Sequence, residues 1–502
     1  MTICMGPAEN VEPETFMTNP GNFILFVTDN HARNFLGAAG HSHVRTPNLD
    51  SLAKRGVLFK NAYAATTLCC PARAAIATGL YPHRTGFWDN ATMYDGSVRT
   101  WHHHLRDAQV SVAAIGKLHY RSAGDDNGFS EEIHTMHVVG GIGSPLTLLR
   151  ATEGGVPSRA GHKAIYGNSG PGQTDYQIYD RQITERAIDW LRRNADNPEP
   201  WALIVSYPSP HPPFRADQEF WELYPPEEMP LPPTWDAPNR FDHPAVAYLA
   251  WMNQVSAGLD ESFLRDAYAG YCALITQTDA EIGKVIDMAD EFGLTDTTRM
   301  AYTSDHGEAI GAHGILGKAN LYEHSAGVPL ILAGPGLPEG KTVSDCVSHV
   351  DLFPTILDLF DVPNETGGNL SGISLLQVIE GQHDPRPGFA EYHAMGSVNS
   401  SFLIRQDNWK LIYHVDMPNQ LFDLASDPNE ACDLLAGGST HPKEAELKGL
   451  LRRQVNPEAL NARSKSDQLA RIEELGGLDM VRNAGSIAAS PIPGKEVLLE
   501  KI

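Results

Sequence analysis

Two pairs of polar side chains follow short apolar runs in this chain and could bind a metal ion. The pairs are Asp29-Asn30, after the run 23–28, and Asp305-His306, after the run 300–303. Runs of this kind predict buried parallel strands, whose carboxyl ends meet at one edge of a sheet. Carboxylate and amide oxygens with one imidazole suit a divalent cation such as Ca²⁺ or Mn²⁺. We therefore expect one cation site at this edge.

The segment 66–79 contributes a candidate nucleophile. Cys69, Pro71 and Arg73 spell C-x-P-x-R, followed by a short apolar helix-like run and a glycine. Arg73 stands about one helical turn after Cys69, so its guanidinium can return toward the thiol. A buried cysteine is more often a small apolar side chain than a reactive one. The assignment therefore depends on partners elsewhere in the chain.

Further cationic and polar residues stand where such partners are needed. They are Asn90 in a loop, Lys117 and His119 after the apolar run 110–115, His211 after the run 202–206, and Lys318. The sequence G-K-x-H at 116–119, together with C-x-P-x-R, resembles the signatures of the type I sulfatases in the alkaline phosphatase superfamily. The resemblance extends from residue 23 to about 435 and assigns the motif position to Cys69 rather than Cys70.

This resemblance implies a role for each residue. In the family a formylglycine-generating enzyme oxidises the motif cysteine to formylglycine (3-oxoalanine), whose hydrate is the nucleophile. Cys69 would then be the modified residue and a metal ligand, together with Asp29, Asn30, Asp305 and His306. Arg73 would fix the hydrate, and Lys117 would hold a sulfate oxygen. His119 would act as the base that expels sulfate, while His211 and Lys318 would protonate the leaving alcohol. Asn90 would contact the substrate.

Two departures from the family pattern leave the ester class open. Many members carry Asp where this chain has Asn30, and Asn where it has His306, so the pairs look more like those of phosphonate monoester hydrolases. Lys117 and His119, however, follow the sulfatase pattern and favour a small anionic head group. We expect a sulfatase acting on small arylsulfatase-type sulfate monoesters. A phosphonate monoester or phosphodiester hydrolase with the same nucleophile, and a catalytically silent anion-binding relative, are the alternatives.

Composition narrows the partners and the compartment. The formal net charge is −24 over 502 residues, which disfavours nucleic acid and anionic membranes because the long-range field repels them. Six scattered cysteines show neither a disulfide framework nor zinc-ligand spacing. The sequence shows neither a signal-peptide pattern nor an apolar run long enough for a bilayer. We expect a cytoplasmic protein with a small-molecule substrate.

Alternating apolar runs and helical patterns predict an α/β fold, which the resemblance specifies as alkaline-phosphatase-like, with a mostly parallel sheet flanked by helices. Short strands after residue 386 predict a small antiparallel C-terminal subdomain. The expected divisions are an extension (1–20), a catalytic domain (21–385), the subdomain (386–447) and a helix with an arm (448–502). The arm is either a flexible tail or a segment that docks on a neighbouring subunit, and the second interpretation predicts a homodimer or homotetramer. Residues 122–172 and 208–238 are expected to form surface loops. The three histidines at 102–104 are expected to lie on a surface helix and not to bind a metal.

Overall fold

The structure, a computed structural model, describes residues 21–150, 162–232, 234–364, 370–484 and 490–495. The predicted extension 1–20 and parts of the 122–172 segment and of the arm lie outside these residues. Within the described ranges, no helix combines the length and the hydropathy needed to cross a bilayer.

Most strands of the described residues form one mixed, mainly parallel sheet. In chain order the strands are β1 (Asn22–Thr28), β2 (Gly56–Tyr63), β3 (Ser111–Lys117), β4 (Glu131–Met136), β5 (Gly170–Pro171), β6 (Trp201–Ser206), β7 (Arg215–Ala216), β8 (Thr298–Ser304), β9 (Leu330–Ala333), β10 (Lys341–Ser348), β11 (Gly388–Tyr392), β12 (Ser401–Gln406), β13 (Trp409–His414) and β14 (Gln420–Asp423). The eight-stranded sheet has the order β10-β2-β9-β8-β1-β6-β3-β4. Only β9 runs antiparallel to its neighbours within it. The polar ends of β1 and β8 therefore lie side by side.

Helices cover both faces of this sheet. They are α1 (Pro47–Lys54), α2 (Cys69–Thr78), α3 (Pro82–Thr85), α4 (Trp101–Asp107), α5 (His162–Gly167), α6 (Asp175–Asn194), α7 (Gln218–Trp221), α8 (Pro244–Met252), α9 (Glu261–Glu291), α10 (Glu323–Ala326), α11 (Leu352–Leu359), α12 (Leu375–Glu380), α13 (Pro442–Gln454), α14 (Pro457–Glu474) and α15 (Leu478–Asn483). Alternate residues of β1 point into opposite cores, with Leu25 packed in the core of α2, α4 and α11 and Phe26 in that of α1, α6 and α9. Burial on both faces explains the continuous apolar run that marks this strand in the sequence.

The C-terminal strands form a separate four-stranded antiparallel sheet in the order β11-β12-β13-β14. Leu447 and Leu451 of α13 pack against one face of it, together with Phe402 and Leu411. The predicted small antiparallel sheet is thus present.

Three expectations about local structure need correction. The segment 122–172 is not loop alone, because β4 extends the central sheet at its edge. The beginning of the 208–238 segment is buried rather than an external loop. His102 and His103 are also buried: His102 Nδ1 donates to the carbonyl of Asn127 at 3.0 Å, and His103 completes the N-terminal capping box of α4 with Thr100. The group in the described residues that could hold a metal ion consists of Asp29, Cys69, Asp305 and His306.

Candidate active site

The carboxyl ends of β1 and β8 bring the two polar pairs together. Thr28 and Ser304 are paired in the parallel register, so the residues that follow them meet at the same level. Asp29, Asn30, Asp305 and His306 are at most 1% exposed. Asn30 adopts φ 74°, a left-handed conformation that is uncommon outside glycine and accumulates at functional sites. The predicted cation ligands are therefore adjacent and buried.

These residues and Cys69 form a compact donor group. The ligand atoms of Asp29, Cys69, Asp305 and His306 all lie within 4.8 Å of one another. The Cys69 Sγ lies 3.3 Å from His306 Nε2 and 3.9 Å from Asp29 Oδ1. Burial and the nearby negative charge of Asp29 raise the pKa of Asp305 to about 6. Crowded, desolvated oxygen donors with one imidazole are a chemically suitable set for a divalent cation.

Helix α2 positions Cys69 and Arg73. The helix starts at Cys69 and ends at Thr78. Gly79 caps its C-terminus with a φ of 67°, in the left-handed region that glycine favours. Arg73 is 4% exposed, and its Nε donates to Asp305 Oδ2 at 2.9 Å, while its Nη2 donates to Asp29 Oδ2 at 3.4 Å. The guanidinium is therefore hydrogen-bonded to the carboxylates of Asp29 and Asp305, the same two that belong to the donor group around Cys69.

The end of β3 delivers Lys117 and His119. A Cβ atom on Gly116 would lie 2.0 Å from Ser206 O, so glycine permits the close approach of β3 and β6 that precedes Lys117. Lys117 Nζ lies 2.5 Å from Asp29 Oδ2. Burial, followed by the positive charges of Lys117 and Arg73, holds the pKa of His119 well below its ordinary value. His119 is thus neutral at neutral pH and able to accept a proton.

Lys318 contacts Cys69, and His211 is close enough to Lys318 for that charge to affect its pKa. Lys318 Nζ lies 3.1 Å from Cys69 Sγ and donates to Asn30 Oδ1 at 2.7 Å. Burial lowers the pKa of Lys318, but the negative charges of Cys69 and Asp29 more than offset this effect and raise it overall. Burial and the charge of Lys318 hold the pKa of His211 well below its ordinary value. The lysine is therefore the protonated member of this pair.

The structure places the predicted substrate contact Asn90 next to the nucleophile helix. Its Oδ1 accepts a hydrogen bond from the backbone N–H of Cys70 at 3.0 Å. This contact helps to fix the first turn of α2.

Three contributors to the site were not predicted from the sequence. Glu308 accepts from Asn30 Nδ2 at 2.6 Å, Tyr176 presents its ring to Lys117 Nζ with a centroid distance of 5.9 Å, and Ser490 Oγ lies 2.9 Å from His119 Nε2. Glu308 stands close to His306 in the sequence, and this spacing is the only signal that could have indicated it. Tyr176 and Ser490 carry no local motif.

The described part of the arm, 490–495, lies against the same chain. Tyr176 donates from its hydroxyl to Ser490 O at 3.0 Å, and Ile492 is 6% exposed in the core beside α6. Lys495 pairs with Asp175 at 2.7 Å. The arm therefore reaches His119 of its own chain in this structure, and its contacts with other subunits remain a prediction.

Comparison with known families places the chain among the sulfatases. The sulfatase family model matches residues 21–362, and the model of the N-sulphoglucosamine sulphohydrolase C-terminal region matches residues 311–457. Choline-sulfatase of Rhizobium meliloti (strain 1021) is 31% identical over 432 residues, covering 83% of this chain and 83% of the relative. Arylsulfatase K of Gallus gallus is 30% identical over 434 residues, covering 82% of this chain and 78% of the relative.

Solved structures agree on the fold. A phosphonate monoester hydrolase of Agrobacterium radiobacter superposes with a TM-score of 0.70 at 22% identity, covering 88% of this chain and 96% of that one. A structure in complex with D-glucosamine-2-N,6-O-disulfate superposes with a TM-score of 0.69 at 23% identity, covering 89% and 99%. The predicted alkaline-phosphatase-like α/β fold is confirmed, and so is the predicted family. The chain belongs to the sulfatase family and is a sulfuric ester hydrolase.

Proposed function

We propose that this sulfatase hydrolyses a small sulfate monoester of the arylsulfatase type at Cys69. One observation carries the proposal: three cationic side chains, two of them buried and one partly buried, surround the carboxylate beside Cys69. The distances to the nearest Asp29 oxygen are 3.4 Å from Arg73, 2.5 Å from Lys117 and 3.6 Å from Lys318. In a chain with a net charge of −24, this local positive field is what an anionic head group needs for capture.

The metal ion in this proposal is Ca²⁺ or Mn²⁺, held by Asp29, Asn30, Asp305 and His306 together with the group formed at Cys69. The oxygen-rich, desolvated donor set supports this choice. When bound, the ion would act as a Lewis acid toward a sulfate oxygen and lower the pKa of the nucleophile.

The nucleophile in this proposal is formylglycine produced from Cys69, whose hydrate supplies the attacking hydroxyl. A formylglycine-generating enzyme would carry out the oxidation. Cys69 is 3% exposed in the folded chain. The modifying enzyme must therefore reach the segment before the fold closes over it.

Proton movement is assigned to three side chains. His211 Nδ1 donates to Pro212 O at 2.8 Å, which leaves Nε2 of the neutral ring as an acceptor. Lys318 is charged and therefore supplies the proton to the leaving oxygen, and His211 Nε2 can accept a hydrogen bond from the alcohol once that oxygen is protonated. Neutral His119 then accepts the proton that must leave before sulfate is expelled. Lys117 holds a sulfate oxygen, and Arg73 keeps both carboxylates in place.

The test compares kcat/KM for an aryl sulfate with kcat/KM for an aryl phosphonate monoester on metal-replete enzyme. Peptide mass spectrometry first establishes formylglycine at position 69. An excess for the sulfate supports the proposal. An excess for the phosphonate supports the alternative that Asn30 and His306 favour, and no turnover of either ester supports a silent anion-binding relative. An active enzyme with an unmodified thiol would exclude the proposed nucleophile.

Two further proposals concern the setting of the enzyme. The cysteines of the described residues, Cys69, Cys70, Cys272, Cys346 and Cys432, are free thiols, which supports a reducing, cytoplasmic location. A homodimer or homotetramer in which the arm 490–502 docks on a neighbour remains part of the proposal. Size-exclusion chromatography with light scattering, on the full chain and on a chain truncated after residue 489, tests the second point.

A further inference from the structure

Glu308 is a buried carboxylate beside the site for which the proposed chemistry has no role. It is 0% exposed and lies after β8 in the turn that leads away from His306. It accepts hydrogen bonds from Asn30 Nδ2 at 2.6 Å, Tyr166 OH at 2.9 Å, Gly317 N at 2.6 Å and Ile310 N at 3.2 Å. None of these four donors carries a charge. Burying a carboxylate costs free energy unless its hydrogen bonds are made, so the loss of one of these four donors should be felt.

The contact to Asn30 decides which way the Asn30 amide faces. An amide has one donating end and one accepting end. With Nδ2 on Glu308, the Oδ1 atom turns to the opposite side, where it accepts from Lys318 Nζ at 2.7 Å. The backbone of Asn30 is fixed as well, because its carbonyl accepts from Tyr271 OH at 2.5 Å and its N–H donates to Asp305 Oδ1 at 3.3 Å. The oxygen of Asn30 therefore points toward Lys318, whose Nζ also contacts Cys69.

The second contact of Glu308 fixes the position of Lys318. Gly317 precedes Lys318, has a φ of 83°, and donates its backbone N–H to Glu308 Oε1. A single carboxylate thus holds the oxygen donor Asn30 on one side and the turn that carries the cationic Lys318 on the other.

We propose that Glu308 is a positioning residue that makes an amide, rather than a carboxylate, the matched side chain at position 30. An aspartate replacing Asn30 would put an oxygen where the donating Nδ2 now lies, about 2.6 Å from the Glu308 oxygen that accepts from it. Two acceptor oxygens that face each other in a buried site without a donor between them are strongly unfavourable. Asn30 and Glu308 therefore form one unit, which explains why this chain departs from the aspartate that many family members carry. The inference rests on the proposed function in treating Asn30 as a metal ligand.

The experiment is a double-mutant cycle of the full chain with Asn30→Asp, Glu308→Gln and both changes together. Isothermal titration with Ca²⁺ and with Mn²⁺ after removal of metal by a chelator gives the dissociation constants, and thermal unfolding of the same metal-free samples gives Tm. Each single change is expected to weaken metal binding roughly tenfold, since one buried partner is left unsatisfied. The double variant should bind at least about tenfold more tightly than Asn30→Asp alone, because the introduced glutamine can donate to the introduced aspartate.

The matched control is Asp279→Asn. Asp279 is 1% exposed and likewise accepts from an asparagine, Asn48, at 2.8 Å, but on α9 away from Cys69. This change should lower Tm and leave the metal dissociation constants within about twofold.

The outcomes separate the inference from the proposed function. The pairing of Glu308 with Asn30 would be overturned if the two changes act independently. Their effects would then multiply in the metal dissociation constants and add in Tm. If the unaltered enzyme binds neither ion, the proposed metal site is wrong, and Tm then decides the pairing: coupling between the two changes upholds it and independent effects overturn it.

Discussion

Two clusters of charged side chains in this molecule contain the same numbers of carboxylates and cations but have different surroundings. The active-site cluster consists of Asp29, Asp305, Arg73, Lys117 and Lys318. The junction cluster consists of Glu323, Glu430, Arg33, Arg405 and Lys410, and it lies between the central sheet and the C-terminal sheet. Each contains two carboxylates and three cations. In both, one carboxylate has a lowered pKa and the other a raised one.

The electrostatic similarity has the same cause in the two places. Burial raises the pKa of Asp29 and of Glu323, but neighbouring cations outweigh it and leave both below their ordinary values. Burial and a neighbouring carboxylate raise the pKa of Asp305 to about 6 and, despite the charge of Lys410, that of Glu430 to about 7. Perturbed pKa values alone would therefore mark both clusters as functional.

The difference lies in what the cations face. Lys410 is 0% exposed, and its Nζ lies 2.8 Å from Glu323 and 2.6 Å from Glu430, so its charge is directed at carboxylates that fix two sheets together. Lys318 also contacts the thiol of Cys69 and the amide oxygen of Asn30. A cation directed at a nucleophile, at the carboxyl edge of a parallel sheet, separates a catalytic cluster from a structural one.

The largest contrast should come from removing the nucleophile. Cys69→Ala deletes the group from which formylglycine forms, so kcat/KM for an aryl sulfate should fall by roughly 10⁵–10⁶-fold. Because Lys318, which contacts the thiol, keeps Asn30 and Asp29 as partners, Tm should change by no more than about 2 °C. Steady-state kinetics and calorimetry on the same sample check both parts. Retained activity would show that the active-site cluster works without Cys69.

Lys318 should give the next largest effect, and one that depends on the leaving group. Lys318→Met removes the proposed proton donor, which is worth roughly 10²–10⁴-fold for an alkyl sulfate. For a nitrophenyl sulfate, whose leaving oxygen needs no proton, the loss should be about tenfold or less. Lys117→Met is the control, since a residue that holds a sulfate oxygen should affect both esters by a similar factor. Equal losses for the two esters in Lys318→Met would remove its role as proton donor.

The junction cluster should respond in stability rather than in rate. Lys410→Met leaves Glu323 and Glu430 buried without their shared cation, which should lower the free energy of unfolding by about 3–5 kcal/mol. Urea denaturation measures this loss, and kcat/KM of the folded enzyme should stay within about twofold. Arg99→Ala, which breaks an exposed pair with Asp107, should change stability by about 1 kcal/mol or less. A large loss of rate without a loss of stability would make the junction cluster part of the catalytic machinery.

The sequence predicted the fold where burial leaves a strong pattern. β1, β6 and β8 are buried on both faces and were recognisable as strands from their apolar runs, whereas β4 is a half-exposed edge strand with mostly polar residues and was not. His102 and His103 were expected on a surface helix, because the polarity of a side chain does not reveal that it folds inward onto the backbone, as these two do at Asn127 and Asp126.

The same limit applies to the site. Residues that belong to an ordered motif, such as Cys69 and Lys117, could be proposed from their neighbours in sequence. Glu308 acts through hydrogen bonds to Asn30 and Gly317, and Ser490 reaches His119 from the far end of the chain. Such contacts depend on the folded arrangement and leave no periodic or spacing signal.

The smallest expected effect is a shift in pH dependence that tests the charge environment of His119 directly. His119 must be neutral to accept a proton, and its pKa lies well below its ordinary value of 6.5 because of burial and then the charge of Lys117. The acid limb of kcat, which includes the expulsion of sulfate, should therefore fall below pH 6.5. In Lys117→Met one lowering influence is gone, so the pKa of His119 rises and the limb should move to higher pH by up to about one unit. Lys410→Met, which changes the charge of the other cluster, should leave the limb in place. A limb that stays fixed in Lys117→Met, or moves to lower pH, would show that another group is the base.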